Sequence, residues 1–314
     1  MDHKAPLFDR VQHGGLHTTT RGSLTTGNVW FVDSNAVTPT ANRRGLDAIG
    51  YGESPDTPFL TLNYASTQCI ANNGDVIYVM PGHTEALRAD GSVTLGVAGI
   101  SVIGLSYGAD RPTFTATVIA GDFKLAAKSV YIENLLFLSG VDATTGMLAV
   151  ESDYCTIKNC EMRDLTDEAT DFLVVSAGSH NLLIDGLKII GAAGGGGNGG
   201  ICIIASDDVE IKNFNIYGNW NDAGIDFRTG HSHNCNIHDG LIWTEHADDI
   251  CIKDTITATI GFIGPNLILV TQDDAGGVTS AVTGATFQMM PPVLVCNLDG
   301  EKGGPSGWAA STDA

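Results

Sequence analysis

Positive charge is scarce in this chain: 16 Lys and Arg stand against 36 Asp and Glu in 314 residues, a net charge of −20. An electrostatic grip on a phosphate backbone or an anionic membrane needs a basic patch. None is visible, so no nucleic-acid or membrane partner is expected. Long apolar runs are also missing. The longest, IGFIGPNLILV at 260–270, is too short to span a bilayer and is interrupted by Gly and Pro. The opening MDHKAPLFDRVQHGG lacks the apolar core of a secretory signal, which leads us to expect a protein made and folded in a cytoplasm. The seven cysteines form no CxxC pair, and Cys155, Cys160, Cys202 and Cys251 fall in strand-like segments. Buried free thiols in a reducing compartment are the expectation. Aromatics are only 7% of the chain, and no segment sustains a 3.6-residue period. That excludes a helical bundle.

What the chain does have is a repeat. SVYIENLLFLSG, YCTIKNCEMRDL, NLLIDGLKIIGA, DVEIKNFNIYGN and NCNIHDGLIWTE place an apolar anchor at Ile132, Ile157, Ile184, Ile211 and Ile237, in steps of 25, 27, 27 and 26 residues. Two residues after each anchor stand Asn134, Asn159, Gly186, Asn213 and Asp239; five after it stand Phe137, Met162, Ile189, Ile216 and Ile242. A second apolar segment lies between units, at 147–150, 171–175, 200–204, 223–227 and 248–252. Several short β-branched strands per period, with no helical half, predict an all-β solenoid whose coils stack about 4.8 Å apart. The expected fold is a right-handed parallel β-helix with a short N-terminal capping helix. The Asn/Gly/Asp column is turn chemistry, because these residues tolerate the left-handed backbone that each coil needs at one corner. Stacked Asn amides are expected to bond along the axis.

In chain order, residues 1–27 read as a polar arm, 28–87 as a capping segment and first coil, 88–260 as the β-helix, 261–300 as further strands or a cap, and 301–314 as a tail carrying Trp308. A helix is predicted from about Leu60 to Ala71 and a strand from Val76 to Met80. Open solenoid ends expose unpaired edges, so the helix is expected to plug the N-terminal one. The run GAAGGGGNGG at 191–200 is followed by ICII and not by a helix. It is read as a bulging loop, not a phosphate cradle.

The order WFVDS, a Gly/Asp-rich loop, SPDTPFLTL, a short helix and GDVIYVMPGHTE resembles the opening of pectate-lyase-like right-handed β-helix proteins, among them virion components of tailed bacteriophages. The resemblance covers about residues 28–87 by motif and 97–260 by repeat. It implies the fold far more specifically than a function, since enzymes, tailspikes and capsid decoration proteins share it.

Residues 219–254 are the most enzyme-like. They are similar to the polygalacturonase pattern, with Asn221-Asp222 or Asp226 one coil from Asp248-Asp249. The spacing from Asp226 to Asp249 is near one solenoid turn, and inverting glycoside hydrolysis wants two carboxyls roughly 6.5–9.5 Å apart. The Gly-His-Gly and Arg-x-Lys segments that this pattern also requires are missing from 255–300. A lyase would need a base beside acidic ligands, and Arg228 near Asp222 and Asp226 is the local candidate, although a guanidinium stays protonated. His231, His233, His238 and His246 crowd the same stretch; turn histidines at the surface are expected there in preference to a zinc set.

From these residues we expect a structural virion protein, made and folded in the host cytoplasm and located in the virion. It is read as a capsid decoration protein that binds major capsid protein or other virion subunits and forms a homo-oligomer, with no catalytic residues, no cofactor and no metal. The alternative is a tailspike-like carbohydrate-binding or polysaccharide-degrading β-helix. That reading uses Asp226, Asp248 and Asp249, with Trp220, Trp243 and Tyr217 as sugar-stacking surfaces. Ile216 and Ile242 belong to the inward column, so Tyr217 and Trp243 are expected to face outward.

Overall fold

The anchors stack as the repeat demands. In the computed structural model, which describes residues 27–37, 45–165, 169–192, 197–245, 250–256, 259–271, 281–284 and 286–297, Ile132, Ile157, Ile184, Ile211 and Ile237 pair in register through parallel strands. All five are fully buried. The second column, Phe137, Met162, Ile189, Ile216 and Ile242, does the same. Burying one such side chain contributes roughly 1.5–3 kcal/mol, so each coil is stabilised by the one beneath it.

The result is a right-handed parallel β-helix with three ladders. The first runs from Val29–Val32 through Val76–Val79, Tyr131–Glu133 and Leu183–Asp185 to Gln288–Met289. The second runs from Thr84–Leu87 through Glu161–Asp164 and Lys188–Ile190 to Val293–Asn297. Strands Glu210–Gly218 and Cys235–Thr244 pass through both, joining them into one sheet. The third ladder forms a separate eight-stranded sheet, from Val93–Leu95 to Val282–Thr283.

The corner between the first two ladders is the Asn/Gly/Asp column. Asn134, Asn159, Gly186, Asn213 and Asp239 have φ of 58°, 50°, 77°, 53° and 52°, and Asn266 continues them at 57°. Bonds along the axis do form, but from amide to carboxylate or carbonyl. Asn213 Nδ2 donates to Asp185 Oδ1 at 2.7 Å, Asn266 Nδ2 to Asp239 Oδ1 at 2.8 Å, and Asn134 Nδ2 to the carbonyls of Gly104 and Ser106.

A second left-handed column escapes sequence reading because its residue types vary: Ser129, Tyr154, Asn181, Asp208 and Asn234, with φ between 55° and 60°. The backbone N–H groups of the first four each donate to a carbonyl of the following coil, at 2.8–3.0 Å. Tyr154 is the misfit, since a bulky L-residue in this conformation costs roughly 1–2 kcal/mol. Its side chain is exposed. Tyr154→Asn is therefore expected to stabilise the fold by about 1 kcal/mol, read as a higher denaturant midpoint at unchanged slope.

Each ladder has its own N-terminal cap. Phe31 N–H donates to the Gly52 carbonyl and Phe59 N–H to that of Phe31, covering the first. The second is met by the short 3-10 helix Ser34–Val37: Ser34 N–H donates to Nδ1 of buried His83, and Thr84 N–H to Ser34 Oγ. Over the third lies the α-helix Leu62–Thr67, whose Asn63 accepts from Thr94 N–H while Ser66 Oγ donates to the Thr94 carbonyl. The helix is shorter than the predicted 60–71. Thr61 caps its start, and Ile70 N–H turns to the buried Asp75 carboxylate at 2.7 Å, away from a helical carbonyl.

Of the two alternatives for 261–300, the described residues form further strands: Gly261–Ile263, Leu267–Thr271 and Val293–Asn297 extend the first two ladders. The turn Gly264-Pro265-Asn266 disguises the corner column in the sequence. The glycine run, expected as a loop, is not all loop, since Gly197–Ile204 is a strand. Glycine is required there, because a Cβ on Gly197 would sit 2.5 Å from the Ala169 carbonyl oxygen. Residues 1–26 of the arm and the Trp308 tail lie outside the described residues.

Candidate functional site

Two constellations reach the outer surface, on different sheets. In the third ladder Ile201, Ile203, Ile225 and Phe227 line the core, so Cys202, Asp226 and Arg228 point the other way. Arg228 gathers three carboxylates. Its Nε donates to Asp226, its Nη1 to Asp171 at 3.0 Å and its Nη2 to Asp222 at 3.2 Å. Lys253 holds the other Asp222 oxygen at 2.8 Å. Asp226 and Asp171 are buried, and burial pushes the Asp171 carboxyl above its ordinary value against the hydrogen bond and charge of Arg228. Burial likewise pushes the Cys202 thiol up to about 12. A carboxylate locked under a guanidinium has no free access to a substrate proton, and the guanidinium cannot act as a base. The arrangement is an ion-pair network.

Asp226 is thus brought to Arg228, Asp222 and Asp171; Asp248 and Asp249 lie outside the described residues. The sequence reading missed Asp171 and Lys253. Register was the available signal, since Lys253 is the rung partner of Asp226. Of the histidines, His231 and His233 stay together, with stacked rings whose centroids are 6.2 Å apart, and His238 lies apart on the strand Cys235–Thr244. His233 leans on Asp207 at 3.1 Å, His238 bonds Asp239 and Glu210, and His246 is outside the described residues. Among the described residues no group of three or more His, Cys, Asp or Glu converges as a metal site.

The second constellation lies on the outer face of the second ladder. Tyr217 and Trp243 are rung partners with ring centroids 5.9 Å apart, tilted by 65°. Both face outward as expected, Trp243 with 37% of its surface exposed. Together with Lys188, Ile190, Asn215 and Leu241 they line a groove of about 280 Å³. The Tyr217 hydroxyl donates to Glu245, which tethers the ring at one end. Trp220 does not join them. It is buried and packs edge-on against Phe172 at 5.6 Å, because the chain turns the corner into the third ladder there. It cannot stack on a ligand.

Beside the groove, one rung back, Glu161 is surrounded by cations. Arg111 Nη1 approaches it at 2.9 Å, Arg163 Nε at 2.7 Å and Lys188 Nζ at 3.5 Å. Burial by itself would raise the Glu161 carboxyl, but the hydrogen bond from Arg163 and the charges of Arg163, Lys188 and Arg111 outweigh it and hold it below its ordinary value. No sequence motif announces this cluster, since its members come from three coils.

A solved polysaccharide lyase shares this parallel β-helix architecture. A rhamnogalacturonan lyase aligns over 84% of this chain and 87% of its own, at 11% identity and a TM-score of 0.50. An alginate lyase from Paenibacillus sp. aligns over 74% of this chain and 95% of its own, also at 11% identity, with a TM-score of 0.26 that carries no structural argument. No family model and no curated protein matches the sequence. At such identity the likeness establishes the fold alone.

Proposed function

We propose that this β-helix binds an extended polysaccharide on the outer face of its second ladder, with Tyr217 and Trp243 as the stacking platform. The observation that carries the reading is the outward aromatic pair, two rung partners with ring centroids 5.9 Å apart, at the edge of a groove. An aromatic face covers the apolar face of a sugar ring, while the Asn215 amide supplies a polar group that orients it. The lyase neighbour supports a carbohydrate role more than shell decoration, for which no described feature speaks. Binding is the proposal, not cleavage, because Asp171, Asp222 and Asp226 of the third ladder are tied up in ion pairs with Arg228.

The test is a panel of rhamnogalacturonan, polygalacturonate and dextran titrated against the protein by calorimetry, with Trp fluorescence as a second readout. We expect at least one to bind, and Trp243→Ala to weaken it tenfold or more, about 1.4 kcal/mol. A variant that binds as well as the wild type, or a panel that never binds, would sink the reading.

A further inference from the structure

We infer that Arg111, Arg163 and Lys188 form an anion site that seats a carboxylate or sulfate ester of the bound polysaccharide. The inference rests on the glycan reading above and narrows it to an acidic chain. The protein carries a net charge of −20, yet here three cations surround one carboxylate. Glu161 offers two oxygens, and the cations do not exhaust their donors on it. Arg163 gives only its Nε, so its two terminal nitrogens have no partner among the described residues. Arg111 spends Nη1 on Glu161 and Nη2 on the Asn159 carbonyl, and its Nε is buried, so it adds positive charge to the site and not a free donor. The side chains of Arg163 and Lys188 are 45% and 48% exposed, so the excess charge is open to solvent. Glu161, only 10% exposed, acts as the post that holds the three in place.

Register fixes where an anion would sit relative to the aromatic platform. Arg163, Ile190, Tyr217 and Trp243 occupy one column on four successive coils, and Glu161, Lys188, Asn215 and Leu241 the column beside it. Three rungs separate Arg163 from Trp243, about 14 Å at sheet spacing. A single sugar cannot touch both. A polymer running along the solenoid axis does: one unit stacks on Trp243, the chain crosses the groove over Ile190, and a later unit presents its anion to Arg163 and Lys188. The overall negative charge repels such a polymer from the other faces and leaves this patch as its landing place.

The experiment compares wild type with Arg163→Gln/Lys188→Gln, both half-exposed positions whose stems glutamine largely retains. Polygalacturonate, dextran sulfate and neutral dextran are titrated by calorimetry at several salt concentrations. The expected result is that an anionic polymer binds wild type at least tenfold tighter than dextran. The double variant loses that advantage and its affinity becomes nearly independent of salt. Preference for polygalacturonate assigns the anion as a carboxylate, preference for dextran sulfate as a sulfate ester. Equal affinity of both proteins for the anionic polymers overturns the site while leaving the Trp243 platform standing. If no polymer binds, the glycan reading fails, and the site is judged on inorganic sulfate at fixed ionic strength. A larger rise in Tm for wild type than for the double variant retains it, and identical rises overturn it.

Discussion

Arg228→Ala is expected to cost about 3–5 kcal/mol of folding stability, because it strands buried carboxylates without their cation. Asp226 and Asp171 have side chains only 2% and 7% exposed, and Arg228 is the group that binds both. Thr255 Oγ1, 3.3 Å from Asp226, carries no charge, and Lys253, the rung partner of Asp226, is already held on Asp222. Arg228→Lys is expected to fall between, since a single ammonium cannot fork to three acceptors. Removing the whole network together, with Arg228→Met, Asp171→Asn and Asp226→Asn, should recover much of the loss, because no charge is then left buried.

The pH dependence of the Ala variant has a definite sign. Burial already raises the Asp171 carboxyl, and losing Arg228 raises it further. The folded variant then binds a proton that the unfolded chain has released, so its stability falls as pH rises from the unfolded carboxyl value through the raised folded one. Chemical denaturation at about pH 4 and pH 7 checks this; the deficit relative to wild type should be smaller at the lower pH. An equal deficit at both would mean that packing of the Arg stem, not charge, sets the cost.

Phe137→Ala is the second large effect, again about 3–5 kcal/mol. Phe137 is fully buried, with Phe114 stacked against it at 5.9 Å and Phe123 edge-on at 5.3 Å. These three rings fill the solenoid between the second and third ladders where the regular coils begin. A cavity there cannot be closed by collapse, since rung spacing is set by backbone hydrogen bonds on both sides. Phe137→Leu should cost far less, because it keeps most of the volume. A loss of less than about 1 kcal/mol on Phe137→Ala would show that the coils relax into the space.

Much of the fold was legible because a solenoid writes its period into the chain. One coil repeats the same inward anchors and the same corner, so Ile132 to Ile237 and Asn134 to Asp239 could be aligned by eye. Even the charge pattern obeys the rungs: Glu133, Lys158, Asp185 and Lys212 are successive partners of alternating sign, as cross-strand pairing favours. Inward Ile216 and Ile242 correctly turned Tyr217 and Trp243 outward. Where the period changed dress, reading failed. Gly264-Pro265-Asn266 hid the later coils, and the mixed residues of the Ser129 to Asn234 column hid a second corner.

The sequence by itself determined the coil period, the inward columns and the outward aromatic pair, because all three follow from strand alternation and a fixed repeat. Only the tertiary structure decided which charges meet. Arg228 is 57 residues from Asp171 and Arg111 is 50 from Glu161, and each pair is joined by a side-chain reach across stacked coils that local pattern does not encode. Trp220 lies in the same way beyond local rules: two residues past Gly218, it falls at the corner between ladders, where alternation breaks and the ring turns inward against Phe172.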